Sequence, residues 1–156
     1  MKRTLITSTL LSLVLAFSAQ ATAKSTLQVS NAWIRATPPN ATVAGGFMSI
    51  KNVGAEDRLL SVTSTAAKSV EIHEMSMQGD VMQMRQLTDG LVIPANINIT
   101  LKPGGIHLMF ITPKYVLSEG QKITATLLFA KAGKQKVEFT IHKQAPSESA
   151  SEHTTH

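Results

Sequence analysis

The chain contains no cysteine, and that one absence removes whole classes of function. Thiolate metal sites, c-type haem attachment, disulfide exchange and a lipid-bearing cysteine all need a thiol. An exported protein without disulfides is held by packing alone, or by packing plus a metal. Aromatics are also scarce, at 4% with one Trp and one Tyr. They are too few to line a haem pocket or to build a base-stacking platform, and no nucleic-acid partner is expected. Long helical periods and internal repeats are missing. Beyond the N-terminal segment no apolar run approaches the roughly 20 residues that cross a bilayer, so no membrane span is expected in the mature chain.

The N-terminal segment reads as an export signal. Lys2 and Arg3 form a charged start, Leu5 to Phe17 is mostly apolar, and Ala19-Gln20-Ala21-Thr22-Ala23 offers small residues at A-x-A spacing. Thr7, Ser8, Thr9 and Ser12 interrupt the apolar run and argue against an anchor. The expectation is a signal peptide over residues 1–23, a periplasmic location, one domain over residues 24–144, and a disordered tail over residues 145–156 with no apolar face to bury. Losing Lys2 and Arg3 lowers the formal charge from +5 to +3. The remaining charges of both signs are interspersed.

Turn signals recur at short intervals: Pro38-Pro39-Asn40, Gly45-Gly46, Asn52-Val53-Gly54, Gly79-Asp80, Asp89-Gly90, Pro94-Ala95-Asn96, Pro103-Gly104-Gly105, Glu119-Gly120 and Ala132-Gly133. Between them lie nine expected strands: 27–29, 46–51, 59–63, 70–77, 81–87, 97–101, 106–111, 122–129 and 135–142. Several alternate cleanly, as in Ile123, Ala125, Leu127 and Phe129 against Lys122, Thr124, Thr126 and Leu128. Residues 64–69 allow one helical turn at most. Many short strands at this spacing predict an all-β sandwich or barrel.

Methionine is what the chain concentrates. Apart from Met1 and Met48, every methionine lies between Met75 and Met109. Residues 70–87 read as a hairpin in which Val70 and Ile72 face one way and Glu71, His73, Met75 and Met77 the other. A two-residue type II′ turn at Gly79-Asp80 pairs Met77 with Met82 and Met75 with Met84, and sets His73 opposite Gln86. A three-residue turn over Gln78 to Asp80 would instead send Met82 and Met84 to the opposite face. Further on, Ile106, Leu108 and Phe110 alternate with His107 and Met109. Two His-Met pairs thus arise on the polar sides of strands whose apolar sides are already accounted for. Taken singly, a strand histidine reads as a surface or satisfied core residue, as His142 does, and an alternating methionine as packing; the set is not explained that way.

Thioether sulfur is soft and uncharged, a poor ligand for Zn²⁺, Mg²⁺ or Ca²⁺ and a good one for Cu(I). Neutral imidazole suits copper. Without cysteine a blue-copper electron-transfer centre is excluded. His/Met haem ligation lacks its lining, and no acid–base pair beside these residues points to a copper enzyme. A structural or adhesive β-sandwich whose methionines scavenge oxidants is a further alternative, and it predicts no stoichiometric copper.

At these residues the sequence resembles the periplasmic copper chaperones called PCuAC, whose pattern is H(M)-x10-M-x21-H-x-M. HEMSMQGDVMQMR supplies His73 and, after ten intervening residues, Met84; KPGGIHLMF supplies His107 and Met109. Twenty-two residues separate Met84 from His107, one more than the pattern, and the loop at Pro94 to Asn98 is the expected place for the extra residue. NAWIRATPPNATVAGGFMSIKN also looks like the family, so the likeness covers nearly the whole mature chain.

The resemblance implies a cupredoxin-like β-sandwich or Greek-key barrel and a monomer holding one Cu(I) per chain at His73, Met84, His107 and Met109. It implies delivery to the CuA centre of cytochrome c oxidase, often alongside a thioredoxin-like Sco protein, and no enzymatic activity. Met75, Met77 and Met82 match no required position and read as a sulfur-rich surround that could hand the ion over. His153 and His156 in the tail allow at most a weak Cu(II) site. The alternative function is a periplasmic copper storage or resistance protein that sequesters the ion without delivery.

Overall fold

Ten strands account for the order of the chain in a computed structural model that describes residues 26–146. They are β1 (Leu27–Arg35), β2 (Val43–Asn52), β3 (Asp57–Ser64), β4 (Ala67–Gln78), β5 (Val81–Gln86), β6 (Leu91–Ile93), β7 (Asn98–Leu101), β8 (His107–Pro113), β9 (Lys122–Phe129) and β10 (Gly133–His142). The expected signal peptide, and the tail beyond residue 146 with His153 and His156, lie outside the described residues. Among the described residues no helix is long and apolar enough to cross a membrane.

Seven strands close on themselves in the order β4-β8-β2-β1-β10-β9-β3, and a β3–β4 pairing at Val62 and Val70 completes the ring. All of these pairings are antiparallel except β1 with β10. This is the cupredoxin-like barrel expected from the sequence. β5, β6 and β7 hang on the outside of the ring, on β4, β3 and β2. Alternation fills the interior: Ile34, Ile50, Leu59, Leu108, Phe110, Leu127, Phe129, Phe139 and Ile141 are essentially inaccessible. Closing the sheet leaves few free edges, and at roughly 25 cal/mol per Å² the enclosed apolar surface is the main source of stability.

Two local readings are corrected by the structure, and a third, at residues 64–69, is narrowed. Gly45-Gly46 is not a turn but lies within β2, opposite Met109 and Leu108. A Cβ at Gly46 would stand 2.6 Å from the Phe110 ring, so glycine is required there for close approach. Residues 64–69 form no helical turn; β3 passes to β4 through a turn at Thr65-Ala66. The strand expected at 27–29 continues to Arg35 through a bulge between Ser30 and Trp33, with Asn31 at φ +51°. That irregularity breaks the period-two signal and hides the extension.

The expected hairpin forms as a two-residue connection. Met77 pairs with Met82, Met75 with Met84 and His73 with Gln86. Gly79 adopts φ +62° while Asp80 keeps a negative φ, as a type II′ turn requires. All four methionines therefore share the face of His73.

Candidate metal centre

β4 and β8 run side by side with Ile72 opposite Leu108 and Val70 opposite Phe110, all turned into the barrel. The intervening residues face outward, so His73 stands directly opposite His107 and Glu71 directly opposite Met109. The imidazole centroids are 5.9 Å apart. Two histidines more than thirty residues apart in the chain thus meet on one outer patch because the core pattern of both strands fixes their parity.

Neither imidazole is an ordinary surface group. His107 is buried at 8% exposure although it points away from the core. Phe47, the next outward residue of β2 after Gly45, is buried beneath Trp33 at a ring separation of 4.5 Å, and this aromatic pair walls one side of the patch. Gly45, opposite Met109, carries no side chain, and the Phe47 ring lies over it: a Cβ there would stand 3.0 Å from Phe47 Cζ.

Hydrogen bonds orient both rings. Nδ1–H of His107 donates to the Gly105 carbonyl at 3.0 Å, an oxygen that also accepts from Met75 N–H. That assigns the proton to Nδ1 and leaves the Nε2 lone pair available. His73 is held the other way: Nε2–H donates to Glu71 Oε2 at 2.8 Å, and the buried Nδ1 has no partner. A buried nitrogen lone pair without a hydrogen bond normally carries a free-energy cost, unless a ligand is meant to fill it. A carboxylate or carbonyl on the far nitrogen is the usual way a protein fixes a metal-binding imidazole. Among the described residues no three His, Asp or Glu side chains converge on a possible metal position.

The register brings three of the four expected donors together and leaves one apart. His73 and His107 share a rung of the sheet. Met109 lies one rung towards the barrel on β8, next to His107 along the strand. Met84 lies one rung the other way on β5, half exposed at 50%, on a strand with no neighbour beyond it among the described residues. Its long, flexible side chain must swing in from the edge to join the others.

The residues that sequence reasoning misses are supporting ones. Alternation places Glu71 on the correct face but assigns it no role; its position at i−2 to a histidine on a strand is the available signal. The Gly105 carbonyl, Gly45 and the Trp33–Phe47 wall come from loop geometry and from neighbouring strands, which no local pattern reveals.

Known proteins resemble the chain both in sequence and in fold. The LpqE-like family, described as "Putative lipoprotein LpqE-like", matches residues 27–141. A "Putative lipoprotein" of Leifsonia xyli subsp. xyli is 37% identical over 105 residues, covering 67% of this chain and 62% of that one. An uncharacterised Rickettsia prowazekii protein is 31% identical over 72 residues, covering 46% and 40%. The chain thus spans about three-fifths or less of the curated relatives it matches. Among solved structures, the copper-bound PCuAC domain of PmoF2 aligns at 26% identity and TM-score 0.64, covering 80% of this chain and 97% of that domain. The apo PCuAC domain of PmoF1 aligns at 28% and 0.64, covering 78% and 96%. The Cu(I) form of a Deinococcus radiodurans protein aligns at 25% and 0.63, covering 83% and 86%. With its barrel closed as in these PCuAC domains and its strands matched nearly end to end by the family, the chain belongs to the LpqE-like, PCuAC-related family.

Proposed function

We propose that the protein is an extracytoplasmic copper chaperone that carries one Cu(I) per chain on His73, His107, Met109 and Met84. The observation that carries this reading is the buried, unpartnered Nδ1 of His73, on an imidazole 5.9 Å from that of His107, whose own Nδ1 is already engaged. Two neutral imidazoles and two thioethers stabilise the reduced ion and disfavour hard divalent cations. The copper-bound PmoF2 domain and the Cu(I) form of the Deinococcus radiodurans protein support copper as the ion. His73, His107 and Met109 form a seat on the rigid barrel wall, while Met84 on the exposed ribbon is the donor that comes and goes. Such an arrangement suits transfer, because an incoming ligand can replace Met84 without disturbing the barrel.

The recipient we propose is a copper-accepting protein of the same compartment, specifically the CuA domain of cytochrome c oxidase, directly or through a Sco-type protein. The carrier acts as a monomer and performs no catalysis of its own. The test begins with Cu(I) titration against a chromophoric chelator, followed by mixing of the loaded protein with an apo-CuA domain. One tightly held equivalent that moves to the acceptor is the expected result. An equivalent that is held but never released would favour storage, and no stoichiometric binding would defeat both readings.

A further inference from the structure

The hairpin arm carries four thioethers that packing does not explain. Beyond the His73–Gln86 rung, β4 and β5 pair among the described residues only with each other apart from one backbone bond from Met75 to Gly105, and from Ser76 to the tip the ribbon is exposed. Every residue of β5 is exposed, and Met77, Met82 and Met84 are 59%, 52% and 50% exposed. Valine, threonine or tyrosine would form this ribbon better, and an apolar edge strand invites aggregation. One face of the arm is conventional: Glu74 pairs with Arg85 at 2.7 Å, and Ser76 lies opposite Gln83. The other face is Met75, Met77, Met82 and Met84 with nothing else.

We propose that Met77, Met82 and Met75 form a second, all-thioether site for a soft monovalent cation, Cu(I) or Ag(I), near the tip of this arm. Met77 and Met82 are a direct cross-strand pair, which sets their Cβ atoms about 4.5–5.5 Å apart. Met75 follows on the same face, one rung or about 7 Å along β4. Three unbranched, flexible side chains at these positions can turn their sulfurs onto one ion. Beyond the His73–Gln86 rung the face offers no carboxylate and no imidazole, so it attracts a soft monovalent ion and ignores Zn²⁺ or Ca²⁺. Lacking nitrogen donors, it binds more weakly than the two-histidine seat. Its Met77–Met82 pair lies about 13 Å along β4 from His73, with the Met75–Met84 rung between them. An ion caught at the exposed tip therefore has a sulfur available at every rung on its way to the imidazoles. The site stands on the ribbon alone and does not depend on the seat being occupied.

The experiment is a titration of the protein, labelled at the methionine methyl carbons, with Ag(I), a redox-inert probe of Cu(I) sites, followed by NMR. The first equivalent should shift Met84 and Met109 together with the His73 and His107 ring signals. The second should shift Met75, Met77 and Met82. The double substitution Met77→Leu with Met82→Leu changes only exposed positions, so the fold should survive. It should weaken the second equivalent more than tenfold and spare the first. If the tip methyls stay still through several equivalents, or move already with the first, there is no second site. A second equivalent that binds the double variant unchanged also overturns the proposal. Tip shifts without any response of the histidines would uphold this site and sink the two-histidine seat.

Discussion

Glu71→Gln separates the two jobs that the Glu71 carboxylate can do. In the structure Glu71 Oε2 accepts from His73 Nε2–H at 2.8 Å and thereby leaves the buried Nδ1 as the nitrogen with a free lone pair. Glutamine keeps the length and one acceptor oxygen but removes the charge, and a charge-assisted hydrogen bond is roughly twice as strong as a neutral one. The Glu71 side chain is about one-third exposed, so solvent screens the pair and its share of folding stability is at most about 0.5 kcal/mol. Metal binding should feel the change far more. Loss of an outer partner to a ligating imidazole typically costs about 10–100-fold in affinity. The conservative change should lie near tenfold, about 1.4 kcal/mol, and Glu71→Ala nearer a hundredfold. Thermal unfolding of the apo proteins gives the first quantity and competition with a Cu(I) chelator the second. The expected pattern is a nearly unchanged melting temperature with a clear drop in affinity. An increase in affinity would refute the reasoning, because it would mean that Nε2 is the ligand atom and Glu71 its competitor.

Three further outcomes follow from the same geometry. Met84→Leu keeps volume at an exposed position, so it should fold as the parent and lose about tenfold or more in Cu(I) affinity, while Met82→Leu should leave the first equivalent untouched; the reverse ranking would show that Met82, not Met84, joins the histidines. Burial pushes the Asp57 carboxyl up, but the backbone N–H groups of Arg58, Lys131 and Ala132 and the Lys131 charge outweigh it and hold its pKa below the ordinary 3.8. The unfolded chain then binds that proton more readily, so Asp57's contribution is full above about pH 4 and fades as pH falls through the lowered value; Asp57→Asn should lose about 2 kcal/mol in chemical denaturation at pH 7, with the gap to the parent narrowing in acid. Removal of the residues after Gln144 should leave Cu(I) affinity unchanged and abolish any weak Cu(II) binding by His153 and His156, which equilibrium dialysis with each ion would read; a large Cu(I) loss would place the tail in the main site.

Parity explains which parts of this molecule are legible in its sequence. In β9 every second residue is apolar, and a closed barrel has only one inside, so Ile123, Ala125, Leu127 and Phe129 can go nowhere else. The hairpin is legible for a second reason: Gly79 is free to take positive φ, and a two-residue turn then dictates every pair up to His73–Gln86. What escapes is non-local or too short. β6 has three residues, less than a period-two pattern needs to show itself. The Gly45-Gly46 pair looks like a turn because the Phe110 ring that demands Gly46 lies more than sixty residues away.

The site itself divides along the same line. Alternation alone sends His73, Met75 and Met77 to one face of β4, and His107 and Met109 to one face of β8. That β4 and β8 are neighbours, with His73 opposite His107 rather than a rung away, depends on the length of three intervening strands and their loops. Nothing local encodes that register. It is set where Ile72 and Val70 must meet Leu108 and Phe110 inside the barrel. Moving β4 by one residue would turn both histidines towards different faces and expose Ile72, a side chain whose burial is worth about 1.5–3 kcal/mol. The same hydrophobic contacts that hold the barrel closed therefore hold the two imidazoles together. Beyond His73 that constraint ends, because the ribbon has no core to satisfy. Its side chains are not fixed by packing, and one of its two faces carries Met75, Met77, Met82 and Met84.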